Sequence, residues 1–86
     1  MSADGSYSQV ADEQLDRLQA TDPNLYNDVV TVCELVFDEP QLAQSMSTAI
    51  RADDGVVFRL AVPGRPPHKV FWTSQGPRVE AVFPHP

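Results

Sequence analysis

The chain has 86 residues, 42% of them hydrophobic, with 12 acidic and 6 basic side chains and a formal net charge of -6. That length allows one modest core and no second domain. The charge argues against a surface that by itself neutralises a nucleic-acid backbone, and no run approaches the roughly 18 consecutive apolar residues that a membrane span requires. One cysteine, Cys33, and two histidines far apart in sequence supply neither a disulfide nor metal-ligand spacing, so no metal and no cofactor is expected.

The opening MSADGSYSQ lacks the basic start and apolar stretch of a secretory leader, which makes the cytoplasm the expected location. Residues 1–5 are small and polar and are expected to form a disordered tail; Tyr7 to Val10 reads as a short edge strand. From Ala11 to Gln19, Ala11, Leu15 and Leu18 recur at helical spacing, with Glu13, Asp16 and Arg17 outside the stripe. Asp22 followed by Pro23 is a helix start: the carboxylate caps, and proline at the first helical position needs no amide partner.

The second helix is predicted over 23–38. Leu25, Val29, Val32 and Val36 form one stripe, with Tyr26, Val30, Cys33 and Phe37 beside it, and Asn27, Thr31, Glu34 and Asp38 form the polar side. Such a wide apolar face, rich in β-branched valine, demands a sheet to lie on. Pro40 ends this helix. Residues 41–52 fit no single pattern apart from an extended Ile50-Arg51.

Asp53-Asp54-Gly55 signals a turn, and three strands follow over 56–83. Alternation places Val56, Phe58, Leu60 and Val62 on one face of the first, Val70 and Trp72 on the same face of the second, and Val79, Ala81 and Phe83 on that of the third. Symmetric loop closure then pairs Ala61 with Lys69, Arg59 with Phe71, and Phe71 with Glu80, which sets Arg59, Phe71 and Glu80 in one row on the face turned from the helices. The expected class is α+β: two helices packed on one face of an antiparallel β-meander.

Charge is divided along the chain. Residues 1–40 carry nine acidic and one basic side chain, a net of -8, and residues 41–86 carry three acidic and five basic, a net of +2. Function is therefore expected on the meander, where the positive charge lies. Cys33, on the apolar stripe of its helix, is expected to be a packed, inert thiol. Trp72 has the parity of a core anchor.

Two short helices, an acidic-Pro helix end, and then FRLAVPGR, HKVFW and VEAVFPH are together similar to the RelE/ParE superfamily of small bacterial toxins from toxin-antitoxin modules, over about residues 6–85. The resemblance implies a helical hairpin on a twisted antiparallel sheet, a cognate antitoxin as partner, and for the RNA-cleaving branch a metal-independent endoribonuclease acting on ribosome-associated or free mRNA. By position, Arg59, Lys69 and His85 become the catalytic set, with Arg65, Arg78 and Phe71 contacting RNA or partner. Cleavage needs a group that moves the 2′-hydroxyl proton and cations for the charged transition state, roles that suit His85 on one side and Arg59 with Lys69 on the other. Against this stand the acidic balance and Glu80 on the same face, which repels phosphate. The alternative is a non-catalytic protein-binding module of the same fold, taking its ligand on the open sheet face or on an exposed edge strand.

Overall fold

A computed structural model describes residues 7–53 and 55–84. The chain forms helices α1 (Gln9–Thr21), α2 (Pro23–Asp38) and α3 (Pro40–Met46), and then strands β1 (Thr48–Ala52), β2 (Gly55–Ala61), β3 (Lys69–Thr73) and β4 (Arg78–Phe83). The strands make one antiparallel sheet in the order β1-β2-β3-β4. This is the expected α+β class with one more helix and one more strand than the sequence announced, both from residues 40–52.

The helix starts follow from their caps. Ser8 accepts from the Ala11 amide at 3.0 Å, and Asp22 accepts from the Leu25 amide at 3.2 Å with Pro23 as the first residue of α2. Val10, expected in a strand, belongs to α1, because the Ser8 cap opens the helix at Gln9. Of the expected amino-terminal edge strand only Tyr7 pairs with the sheet, through an isolated parallel bridge to Val79.

The core lies between the helices and one face of the sheet. Leu25, Val29, Val32, Cys33 and Val36 of α2 and Ala11, Leu15 and Leu18 of α1 meet Phe58, Leu60, Val62, Val70, Trp72, Val79 and Val82. Trp72 is fully buried and packs on Phe58 at 5.0 Å between ring centroids. Its indole N–H donates to the Ser47 hydroxyl at 3.1 Å, and that hydroxyl donates to the Ala43 carbonyl. A buried indole N–H needs such a partner, and Ser47, at the end of α3, supplies it; the bond ties the short third helix to the centre of the sheet.

The two edges of the sheet differ. At β4, the Ser8 amide donates to the Val79 carbonyl at 2.9 Å, the Ser8 hydroxyl donates to the Glu80 carbonyl, and the buried Gln14 side chain accepts from the Val82 amide at 2.7 Å. An edge amide left unpaired under α1 would cost about 1–3 kcal/mol, so Gln14 is buried for a reason that apolar periodicity does not reveal. β1 pairs with β2 alone, and none of its five residues is buried.

Candidate functional site

The first hairpin has the expected register: Arg59 lies opposite Phe71, and Ala61 opposite Lys69. The second does not. Phe71 pairs with Ala81 and Trp72 with Val79, so Glu80 is an extra residue in β4, a β-bulge. From the bulge onward parity reverses. Val82 turns into the core, where it is 2% exposed, while Ala81 and Phe83, both expected in the core, join the open face. Glu80 leaves its expected place beside Phe71: its carboxylate accepts from the Thr73 hydroxyl at 3.2 Å and faces the Arg78 guanidinium at 3.7 Å. Val56 keeps its parity but is 44% exposed.

The face turned from the helices is thereby reorganised. Its centre is the cross-strand set Thr48, Arg59, Phe71 and Ala81, and the next row holds Ala61, Lys69 and Phe83. Phe71 and Phe83 make an edge-to-face pair at 5.4 Å between centroids. Arg59 and Lys69 form no ion pair among the described residues. Three cations, Arg59, Lys69 and Arg78, stand against one carboxylate, Glu80, and that carboxylate is already engaged. The face is a shallow apolar platform flanked by two unneutralised positive charges. Beyond Lys69, the loop between β2 and β3 borders an open cleft of about 340 Å³ that shares Ala61 and Lys69 with the platform and is lined by Pro63, Pro66 and Pro67.

The other candidate residues lie elsewhere. The Arg65 guanidinium turns to the helix layer and pairs with Asp28 of α2 at 2.7 Å, pinning the loop instead of reaching Arg59 and Lys69. Arg78 is at the far end of the face, beside Glu80. His85 lies outside the described residues. Phe83, Ala81 and Thr48 are the face residues that sequence reasoning missed, and the signal for the first two was the three-residue spacing of Val79 and Val82, which only a bulge lets both point inward.

Cys33 is fully buried, as its place on the apolar stripe implied. Burial pushes its thiol up to about 12, with the Glu34 carboxylate adding to the rise and a hydrogen bond from the Tyr7 hydroxyl opposing it. Tyr7 is itself raised above the ordinary tyrosine range, chiefly by burial. A thiol that stays protonated when folded but ionises near 8.5 when unfolded makes stability flat below about pH 8.5 and falling between there and about 12. The slope for that one proton approaches about 1.4 kcal/mol per pH unit. Urea midpoints should therefore drop between pH 8.5 and 10, and Cys33→Ala should flatten the drop; an equal drop in the variant would show that Cys33 is not its source.

Among the described residues no group of three or more His, Cys, Asp or Glu side chains is placed to hold a metal ion. No helix among them is long and apolar enough to cross a membrane. No family model, no curated protein and no solved structure matches the chain.

Proposed function

We propose that the chain is a non-catalytic protein-binding module whose ligand is an extended, acidic segment of a partner protein laid across the open face of the sheet. The observation that carries this reading is the pair of unneutralised cations, Arg59 and Lys69, beside the Phe71–Phe83 platform, with Glu80 drawn away by the bulge. Apolar anchors on the ligand would contact the rings and the proline-lined cleft, while its carboxylates meet the two cations. Electrostatic complementarity of this kind selects the partner and speeds encounter more than it adds affinity. In the setting that the RelE/ParE resemblance implies, the partner is the cognate antitoxin.

The endoribonuclease is the second reading, and the same platform favours it in one respect. Aromatic rings flanked by cations are what single-stranded RNA binds by stacking and phosphate contact. Cleavage further needs a proton-transfer group beside Arg59 and Lys69, the role that the resemblance gives to His85. Calorimetric titration with a Glu/Asp-rich peptide bearing a Leu or Phe anchor, and separately with single-stranded RNA, distinguishes the two. The binding module takes the peptide and leaves the RNA intact. RNA cleavage that is lost in the Arg59→Ala, Lys69→Ala, His85→Ala triple variant would establish the enzyme instead.

A further inference from the structure

We propose that β1 is the seam of a homodimer: two copies pair their Thr48–Ala52 strands antiparallel about Ile50, joining two four-stranded sheets into one of eight. An open edge presents unpaired amides and carbonyls to any strand that can reach it, and proteins usually blunt such edges with proline, bulges, charge or a covering element. Here one edge is covered by other parts of the chain, and the other has only the single charge of Arg51. β4 is closed by Tyr7, Ser8 and Gln14, whereas β1 runs through five regular pairs with β2 without a bulge or a proline.

The charge pattern selects a second copy of this chain as the occupant. Two molecules of net charge -6 repel one another, and the negative excess comes from residues 1–40, net -8, against +2 on the rest. Residues 40–52, which form α3 and β1, carry a single charged side chain, Arg51, in a chain that is 21% charged. Depletion of charge marks the buried centre of protein interfaces. The strand is also self-complementary under two-fold symmetry. Pairing about Ile50 sets Ile50 against the second copy's Ile50, Thr48 against its Ala52, and Arg51 against its Ala49, so the arginines do not meet head-on.

A five-residue ladder alone falls well short of the roughly 800 Å² per partner of a stable interface. The flanks supply apolar surface. Of the five large hydrophobic residues exposed among those described, three lie in this part of the chain: Leu42 at 45%, Met46 at 53% and Val56 at 44%. Leu42 and Met46 are one helical turn apart on α3, and Val56 pairs with Arg51. In the dimer the two open faces lie on the same side of the joined sheet, so the assembly would be bivalent for the ligand proposed above. The dimer does not depend on that reading, and either can fail alone.

Sedimentation of the full chain over about 1 to 500 μM tests it, together with exchange rates of the β1 amides at both ends of that range. The expected result is a shift from the 9.5 kDa monomer to twice that mass, with slower β1 exchange at high concentration. Ile50→Glu and Ile50→Lys should each weaken the dimer at least 100-fold by placing like charges against each other, and an equimolar mixture of the two should restore it. Far-UV circular dichroism checks that both variants fold. A wild-type chain that stays monomeric with concentration-independent β1 exchange would overturn the proposal, and so would dimers that persist in both variants with β1 exchange unaffected by assembly.

Discussion

Trp72→Ala should lower the urea midpoint sharply, removing from roughly a quarter to all of the chain's stability at 25 °C. The side chain is fully buried at the junction of β3, α2 and α3, and truncating a buried tryptophan costs about 3–5 kcal/mol. A domain of this size has only about 4–13 kcal/mol in total. That cost includes the contact with Phe58, and the substitution also removes the bond from the indole N–H to Ser47, which holds the carboxyl end of α3. Trp72→Phe separates the two contributions. It keeps a ring against Phe58 but leaves the Ser47 hydroxyl without its donor, so it should cost about 1–2 kcal/mol, the scale of one hydrogen bond and modest repacking. Trp72 is the chain's one tryptophan, so urea unfolding should be followed by far-UV circular dichroism. A native-like spectrum and midpoint for Trp72→Ala would mean that the core is not centred on this residue.

The largest effect on binding is expected from reversing the two cations of the open face. Arg59→Glu and Lys69→Glu should each weaken an acidic ligand about tenfold, and together about 100-fold, since an exposed ion pair contributes up to about 1 kcal/mol and reversal replaces attraction by repulsion of similar size. Neither side chain takes part in an ion pair among the described residues, so the midpoint of unfolding should move little. Wild-type binding should also weaken with salt, whereas the residual binding of the double variant, left to Phe71 and Phe83, should not. An unchanged affinity in the double variant would remove the electrostatic half of the proposal.

α2 was legible because three signals agreed on it: the Asp22-Pro23 start, the valine stripes and Pro40 beyond its end. The β2–β3 register was legible because the alternation of Val56 to Val62 and of His68 to Thr73 sets the apolar face and symmetric closure of the loop then sets the pairing. β4 misled because the alternation of Val79, Ala81 and Phe83 is more regular than the three-residue spacing of the true inward pair, Val79 and Val82; the bulged strand is met by tertiary bonds from Ser8 and Gln14, distant in sequence. α3 went unread, and β1 was read only as an extended Ile50-Arg51, for another reason. A seven-residue helix with only Ala43 buried and a strand with no buried residue leave almost no apolar periodicity to detect.

The consequence for the site is chemical. With a regular strand, Glu80 would stand beside Phe71 and oppose any anion approaching Arg59; with the bulge, Ala81 stands there and the carboxylate binds Thr73 and Arg78. One inserted residue thus takes the carboxylate from beside Phe71 and leaves the part of the face around Arg59 and Lys69 positive.

The most direct test of the open-face account is an amide chemical-shift map of the full chain titrated with the acidic peptide. The account predicts saturable shifts concentrated at Arg59, Ala61, Lys69, Phe71, Ala81 and Phe83, with α1 and α2 unmoved. Shifts confined to the helices, or none at millimolar peptide, would contradict it.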